Sequence, residues 1–399
     1  METLFWISTF TILYSFAGYG ILITLLNKWK KKKNTYTPFS EEDWPEVTLL
    51  IAAYNEAEII RQKIANCEKI DYPKDRLKVL FVTDGSTDQT NDIINQYASV
   101  SLRFSPERKG KIAAVNRIMR YITSPITVFS DANVMMNPGA IKALVQPFES
   151  NLMGAVSGEK IVLSDTEDSA SASGEGFYWK YESFLKKQDA EWNTLVGSAG
   201  ELFAIRTRLF VPTEENALIE DFVMTMRIAA DGYKVGYEPN AMATETASAN
   251  IAEETKRKVR ISAGGIQAVI KLVKLLNVFK YGKLTFQYVS HRALRWTLMP
   301  LALIGAFAST IWLADTHWFY NTAFRVQSIF YLLAFFGYVI RDQKTSYKLL
   351  HIPYYFTYMH ICVVKGWIKY FKGNQKVTWD KSERVALNGS ENQLSVVRN

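Results

Sequence analysis

The chain has 399 residues, 48% of them hydrophobic and 14% aromatic, and 47 Lys and Arg residues against 39 Asp and Glu residues give a net charge of +8. This composition excludes a disordered or fibrous protein, and the length allows two or three domains. Two isolated cysteines, Cys67 and Cys362, exclude a disulfide framework and favour a reducing compartment for the folded part. The basic residues collect beside apolar segments, which favours a membrane surface over nucleic acid as their partner.

Residues 1–27 contain an uncharged stretch, Leu4 to Leu26, that is long enough to cross about 30 Å of hydrocarbon as a helix. Because no basic segment precedes it and there is no small-residue cleavage site, we expect a transmembrane anchor rather than a cleaved signal peptide. Residues 28–46 form a basic linker in which Lys28 and Lys30–Lys33 predict that the next segment lies in the cytoplasm. A buried soluble helix is the alternative, but this stretch is apolar on every side.

From residue 47 to about residue 250, short apolar runs alternate with amphipathic stretches. The runs predict strands over Val47–Ala53, Leu77–Thr83, Val100–Phe104 and Ile126–Ser130. The stretches between them predict helices over Ala57–Lys69, Thr87–Tyr97 and Lys111–Tyr121. This alternation predicts an α/β domain with a mostly parallel sheet, whose ligands would bind beyond the carboxyl ends of the strands.

Residues 251–295 are predicted to form amphipathic helices at the membrane interface. The densely charged run Glu253–Arg260 comes first, and Ile266–Phe279 then carries lysines among aliphatic residues. The sequence therefore predicts a second contact between the catalytic domain and the bilayer.

Residues 296–367 are predicted to hold two transmembrane helices, over Trp296–Leu313 and Val326–Ile340. A third span over Ile352–Trp367 and a re-entrant or interfacial segment are equal alternatives, because this stretch contains a proline and a histidine. Residues 368–399 are predicted to be a basic polar tail.

Polar motifs follow the predicted strands and carry the candidate chemistry. They are Ala53-Tyr54-Asn55-Glu56, Asp84-Gly85-Ser86-Thr87-Asp88, Lys109-Gly110-Lys111, Asp131-Ala132-Asn133 and, farther along the chain, Glu220-Asp221. Each alone is ordinary turn or cap chemistry. Because parallel strands end at one edge of a sheet, together they predict a single polar crevice.

The motifs occur in a fixed order: IAAYNEAE, VTDGSTDQT, KGKIAAVNR, FSDANVMM, GSAGELFAIR and IEDFVMTMRIAADGY. This ordered set, from Val47 to Arg260 with flanking membrane segments, resembles the family 2 glycosyltransferases of the GT-A fold. That group includes cellulose, chitin and hyaluronan synthases. The resemblance implies a Rossmann-like GT-A domain, a nucleotide-sugar donor, a Mg²⁺ or Mn²⁺ cofactor and inversion at the anomeric carbon.

The resemblance also implies which residues bind the donor. Base and ribose would be lined by Ala53, Tyr54, Glu56 and Asp84, and the nucleotide would be approached by Lys111. Charge that develops on a departing diphosphate is neutralised by a metal ion and by cations such as Lys109 or Lys111.

Asp131 and Asn133 stand where the family usually has Asp-x-Asp. The Asn133 amide oxygen can face a hard cation but brings no charge, so we expect weaker metal binding, or binding by Asp131 nearly alone. A helix or turn cap is the alternative role for Asn133.

A diphosphate leaving group needs no acid catalyst, so a single general base that deprotonates the acceptor hydroxyl is sufficient. Asp221 of the Glu220-Asp221 motif matches the base of the family. The alternative is a solvated helix N-terminus, where acidic residues are favoured.

The acceptor is expected beside Gly197, Ser198, Ala199 and Gly200, where small residues let a sugar ring approach the backbone. Trp179 is a candidate stacking platform, although packing is the commoner role of a helical aromatic residue.

Processive synthases carry Gln-x-x-Arg-Trp after the base, and this chain has Arg257-Lys258-Val259-Arg260-Ile261. Arg260 is retained and is predicted to hold the diphosphate. The missing tryptophan removes a platform for a growing chain, which argues against processivity. A stripe that binds lipid headgroups is the alternative reading of this basic run.

The sequence therefore predicts a multi-pass protein of the cytoplasmic membrane with its catalytic domain in the cytoplasm. It would transfer a sugar, with a UDP-sugar as the expected donor, to a lipid-linked or nascent envelope glycan, in contact with membrane lipids and other envelope-glycan biosynthesis proteins. Two alternatives are a processive polysaccharide synthase that secretes its product and a catalytically silent nucleotide-binding scaffold. The intact Asp84, Asp131 and Asp221 argue against the scaffold.

Overall fold

The computed structural model describes residues 1–30, 39–163, 170–246, 250–341 and 348–373. One sheet of eight strands organises the catalytic domain, in the order β3-β2-β1-β4-β7-β6-β8-β5. The strands are β1 Val47–Ala53, β2 Leu77–Asp84, β3 Ser101–Ser105, β4 Ile126–Asp131, β5 Met135–Met136, β6 Met153–Leu163, β7 Leu202–Arg206 and β8 Lys234–Thr246.

Helices surround the sheet and form both ends of the described chain. They are α1 Glu2–Trp29, α2 Ile60–Glu68, α3 Thr90–Ile94, α4 Lys111–Met119, α5 Ala140–Val145, α6 Ala170–Trp192, α7 Glu220–Ala230, α8 Ile251–Lys271, α9 Val278–Tyr281, α10 Lys283–Trp296, α11 Leu298–Leu313, α12 Trp318–Val339 and α13 Lys348–Phe371. Short 3₁₀ turns occupy Gln146–Glu149, Thr207–Leu209 and Val273–Leu276.

The parallel half of the sheet agrees with the sequence prediction. Strands β3, β2, β1 and β4 pair in parallel, and each begins and ends within one residue of its predicted bounds. Strand β7 then pairs antiparallel with β4 and β6, while β6 pairs in parallel with β8. The mostly parallel α/β fold is thus confirmed, with an antiparallel insertion that the alternation of local patterns did not reveal.

The core lies on both faces of the sheet, which is why the central strands are continuous apolar runs. Leu49 and Ile51 of β1 pack on one face with Ile60 and Ile64 of α2. Leu50 joins the cluster on the other face, where Phe129 of β4 and Phe203 of β7 stack with ring centroids 4.7 Å apart. The polar residues at the strand ends therefore sit on a rigid support.

Helix α2 begins at Ile60, whereas the sequence predicted a start at Ala57. Asn55 has a positive φ of 53°, and the next two backbone amides donate to side chains of the loop after β2 instead of starting a helix. The predicted helix Thr87–Tyr97 is shortened to α3, Thr90–Ile94, and at its predicted start the Thr87 amide donates to Asn55 Oδ1 of the other loop. Both corrections show that the two loops belong to one structure.

The predicted helix Ile266–Phe279 is wrong in its bounds, because α8 runs from Ile251 to Lys271 and includes the charged run before it. Gly264 and Gly265 leave room for the neighbouring chain, since a Cβ on Gly265 would lie 2.5 Å from the Trp296 ring. A Cβ on Gly264 would lie 2.9 Å from Ile219 Cγ2, so the middle of α8 packs both on the catalytic domain and on the end of α10.

Within the described residues, α1 and α12 are each long and apolar enough to cross a membrane. Helices α10 and α11, bent by 59° at their junction, provide a third candidate if they count as one broken span. The predicted anchor Leu4–Leu26 lies within α1, and the predicted span Val326–Ile340 corresponds to α12, which begins at Trp318. Ile352–Trp367 lies in α13, which packs on α8 and α12 and does not meet the same test.

Candidate active site

The loops after β1 and β2 are joined by side-chain to backbone hydrogen bonds. The Thr87 amide donates to Asn55 Oδ1 at 2.9 Å, and the Glu56 amide donates to Thr90 Oγ1 at 2.8 Å. Ala53, at the end of β1, is buried beneath this loop pair. The predicted base and ribose residues Ala53, Tyr54 and Glu56 therefore occupy one structured edge of the sheet.

Asp84 is buried at the end of β2 and organises the approach to α4. Its Oδ2 accepts hydrogen bonds from the backbone amides of Lys109, at 2.8 Å, and Gly110, at 2.5 Å. The Lys109 ammonium is exposed and pairs with Glu107 at 2.7 Å. Lys109 was predicted to bind the donor through its ammonium group. In the structure its backbone amide contacts Asp84, and its ammonium contacts Glu107.

Tyr54 is also tied to the segment before α4. The Arg108 guanidinium lies 3.9 Å from the centroid of the Tyr54 ring. Gly85 has a positive φ of 68°, and a Cβ there would lie 2.7 Å from the Arg108 Cβ. Glycine is required at position 85 because Arg108 approaches so closely.

Lys111, the first residue of α4, lies between two carboxylates of the predicted site. Its Nζ is 2.7 Å from Asp131 Oδ1 and 3.2 Å from Glu220 Oε1. Burial would lower the pKa of Lys111, but Asp131 and Glu220 raise it above its ordinary value, so the side chain stays protonated. Three sequence motifs therefore meet at one ammonium group.

Asp221, in the first turn of α7, has an unusually basic carboxylate. Burial first, then the charges of Glu220 and Glu201, raise the pKa of Asp221 to about 7, against the opposing effect of Lys111. A carboxylate with this pKa accepts a proton effectively near neutral pH. Asp221 therefore combines a raised pKa with a place in the first turn of α7, beside Glu220 and in the field of Lys111.

The predicted acceptor loop, residues 197–200, packs on the start of α7. A Cβ on Gly200 would lie 3.2 Å from both Cγ and Oδ2 of Asp221. The Ser198 amide donates to Thr225 Oγ1 at 3.3 Å, and the Ala199 amide donates to Ser157 Oγ at 2.9 Å. The backbone of the loop thus comes within contact of the Asp221 carboxylate.

Gly197 is required for this approach. It has a positive φ of 84°, and a Cβ there would lie 2.1 Å from the Phe222 ring. For both reasons, any other residue at position 197 would strain the fold.

Arg260 and Trp179 have different surroundings. Burial lowers the pKa of Arg260 to about 10, while Glu220, Asp131 and Asp221 act to raise it, so its guanidinium shares the field of these carboxylates. The Trp179 ring instead lies 5.8 Å from Lys160 Nζ and 5.5 Å from Lys258 Nζ. Arg260 is therefore brought to the site, whereas the described ring contacts of Trp179 are with these lysines.

The metal-binding prediction rests on Asp131 and Asn133, at the end of β4. Among the described residues there is no group of three or more His, Cys, Asp or Glu side chains that could hold a metal ion. One carboxylate and one amide fit a Mg²⁺-type site only when substrate phosphates supply further oxygens, as is common for this ion. The residues present thus fit a cation that binds together with a diphosphate.

Lys63 is a residue that the sequence analysis missed. It is fully buried, and its ammonium donates to Ser130 Oγ at 2.9 Å and to the Val134 carbonyl at 2.6 Å, on either side of the Asp131 motif. Burial lowers its pKa to about 8. Its position between Ile60 and Ile64 on the apolar stripe of α2 was the available signal, because a lysine there must find polar partners.

Two family models match the chain. The model described as glycosyl transferase family 2 matches residues 48–210, and the model described as glycosyl transferase family group 2 matches residues 133–360. Since the second match alone covers more than half of the sequence, the chain belongs to the family 2 glycosyltransferases, and the resemblance seen in the motifs is confirmed.

Similar curated proteins include the probable glycosyltransferase YdaM of Bacillus subtilis, 25% identical over 260 residues, which are 61% of each chain. The poly-β-1,6-N-acetyl-D-glucosamine synthase of Staphylococcus aureus is 24% identical over 243 residues, 56% of each chain. The β-monoglucosyldiacylglycerol synthase of Synechocystis is 25% identical over 237 residues, 56% of this chain and 48% of that protein. The chain thus matches only about half to three fifths of the length of these relatives.

A solved structure supports the fold. The mannosyltransferase PcManGT from Pyrobaculum calidifontis, in complex with GDP-Man and Mn²⁺, has a TM-score of 0.72 and 21% identity, covering 93% of this chain and all of that one. At this identity the likeness shows the fold, which extends over the catalytic domain and most of the flanking helices.

Proposed function

We propose that the protein transfers a sugar from a nucleotide-sugar donor, a UDP-sugar in the first instance, to a lipid-linked or nascent envelope glycan, with inversion at the anomeric carbon. One observation carries the proposal: Asp221, with a pKa of about 7, lies against Gly200 and shares the electrostatic field of Lys111 and Arg260. The site thereby combines a base, an acceptor loop of small residues and cations that can stabilise a leaving group.

The reaction would be a single displacement. Asp221 takes the proton of the acceptor hydroxyl as that oxygen attacks the anomeric carbon, and the bond from this carbon to the diphosphate oxygen breaks. The electron pair leaves with the nucleoside diphosphate, whose negative charge Lys111 and Arg260 stabilise. Gly200 keeps the space beside the base open for the acceptor.

Mg²⁺ or Mn²⁺ would be held by Asp131, with Asn133 and the donor diphosphate, and would neutralise charge on the leaving group. The complex of PcManGT with GDP-Man and Mn²⁺ supports a nucleotide sugar with a divalent cation. The names of the Staphylococcus and Synechocystis relatives support a polysaccharide or glycolipid as product.

The membrane topology is part of the proposal. Basic residues in the last turn of α1 and directly after it, Lys28 and Lys30–Lys33, favour a catalytic domain on the cytoplasmic side of a multi-pass protein. Residues 251–295 would contact the membrane interface, where Phe279 is almost completely exposed. Other envelope-glycan biosynthesis proteins are proposed as partners.

The decisive test is Asp221→Asn, assayed with a panel of UDP- and GDP-sugars in the presence of Mn²⁺. We expect a loss of transfer of about 10²- to 10⁴-fold, with nucleotide binding unchanged. Asp231→Asn, an exposed aspartate at the other end of α7, is the matched control and should keep full activity. Turnover retained by Asp221→Asn would refute the base assignment.

A processive synthase is the second candidate, because one relative is named poly-β-1,6-N-acetyl-D-glucosamine synthase. Ile261 in place of the tryptophan of processive enzymes argues against it. Product length from purified protein with one donor distinguishes the two, since a single addition supports our proposal and a polymer supports the alternative. Donor hydrolysis or transfer above background excludes a silent scaffold.

A further inference from the structure

A chain of ion pairs, called here the ionic chain, runs beside the active site through Glu201, Lys160, Glu245, Arg257 and Glu254. The Lys160 ammonium pairs with both Glu201 and Glu245. Arg257 Nη1 lies 3.5 Å from Glu245 Oε1, and its Nε and Nη2 each donate to Glu254 at 3.1 Å. The ionic chain thus connects the loop before β7 with strands β6 and β8 and with helix α8.

The two ends of the ionic chain reach the two sides of the proposed site. Glu201 directly follows Gly200, whose Cβ position lies 3.2 Å from Asp221, and the charge of Glu201 acts on Asp221. Arg257 lies one helical turn before Arg260, which shares the field of the donor-side carboxylates. One end of the ionic chain therefore adjoins the acceptor loop and the proposed base, and the other end adjoins Arg260, which is proposed to bind the diphosphate.

Burial makes the ionic chain a strong constraint. Only 3% of the Lys160 side chain and 3% of the Glu245 side chain are exposed, so solvent does not replace either partner. Replacing Lys160 by a neutral residue leaves Glu201 and Glu245 with one cation fewer, although Arg257 still faces Glu245, whereas removing Lys160 and Glu245 together preserves the charge balance. A single variant therefore changes both the charge balance and the geometry of the ionic chain, whereas a double variant that removes opposite charges changes only its geometry.

We propose that Lys160 is a positioning residue that holds the acceptor loop and the base in register with the helix that carries Arg260. It touches no reacting atom; it acts through Glu201 on Gly200 and Asp221. The kinetic part of this proposal rests on the proposed glycosyltransferase function. The structural part, that Lys160 orders the acceptor loop, does not.

The test compares Lys160→Met with Lys160→Arg in the full-length protein in detergent or nanodiscs. Lys160→Met should lower kcat by about 10- to 100-fold, because small displacements of a reacting group have effects of this size. The KM for the donor should change by less than about threefold, since the residues that contact the donor remain. Lys160→Arg should restore most of kcat, because it keeps the charge and both partners.

Hydrogen exchange provides a readout that does not depend on activity. Lys160→Met should accelerate amide exchange in residues 197–202 by about fivefold or more, because the local opening free energy falls. The matched control is Lys186→Met, which removes another buried lysine whose partner, Glu159, lies outside the ionic chain. Unchanged exchange in residues 197–202, or equal acceleration in the control, would overturn the proposal.

A double variant separates positioning from stability. Lys160→Met with Glu245→Gln removes opposite charges, so the temperature of unfolding should recover while kcat stays low. Recovery of kcat together with stability would show that Lys160 is only structural and would overturn the proposal. If the protein shows no sugar transfer above background with any donor of the panel, the proposed function fails, and hydrogen exchange still decides whether Lys160 orders the loop.

Discussion

Replacing Glu220 by glutamine should move the pH dependence of transfer to lower pH. Glu220 is the second largest cause, after burial, of the raised pKa of Asp221. The neutral amide keeps the size of the side chain but removes the charge that opposes ionisation of Asp221. The base of the variant should therefore lose its proton at lower pH.

The size of the effect follows from the raised pKa. The change from 3.8 to about 7 in the pKa of Asp221 corresponds to about 4 kcal/mol between the two protonation states. If Glu220 supplies about one pKa unit of this, the ionised fraction at about pH 6 rises from roughly one tenth to one half. Activity at about pH 6, relative to the plateau of the same variant, should thus increase about fivefold.

The assay is the pH profile of kcat/KM, read from the acidic limb rather than from the height of the plateau. The plateau should fall, because Glu220 also lies 3.2 Å from Lys111. Lys111→Met is the comparison variant with the opposite expected effect. Lys111 lowers the pKa of Asp221, so its loss should move the acidic limb of the pH profile to higher pH. Limbs that move in the same direction, or do not move, would refute the electrostatic account of this base.

Four further outcomes are expected. Gly200→Ala should lower kcat about 10-fold or more with little loss of stability, because the new Cβ displaces Asp221 by a few tenths of an ångström. Gly197→Ala should lower the free energy of unfolding by about 2–4 kcal/mol, measured by denaturation, because of its positive φ and the Phe222 ring. Asp221→Asn should raise the unfolding temperature at about pH 8 but not at about pH 4, because the raised pKa of Asp221 costs the folded protein up to about 4 kcal/mol as the pH rises from about 4 to about 7. Lys63→Met should weaken Mn²⁺ binding in the presence of nucleotide about 10-fold, measured calorimetrically, because the Asp131 turn loses its support.

The sequence predicted most of the parallel half of the fold and the outline of the site. Strands β1 and β4 appeared as apolar runs because both faces of a central strand are buried, and that pattern is local. Strand-end positions predicted a shared crevice for the polar motifs, and the structure adds that Asp131 and Glu220 meet at Lys111. The predicted helix start at Ala57 was wrong because side chains that follow β2 accept hydrogen bonds from the backbone amides after Asn55. No local sequence pattern records such a contact.

What the tertiary structure decided is the assignment of each charge. Lys109 and Lys111 are two residues apart, yet one ammonium is exposed beside Glu107 and the other is half-buried between carboxylates. The partners of Lys63 and Lys160 lie on distant strands and loops, so the roles of these two lysines arise only in the folded chain. Patterns of hydropathy are repeated along a segment and can be read locally, whereas the field at a buried charge is the sum over residues that only the folded chain brings together.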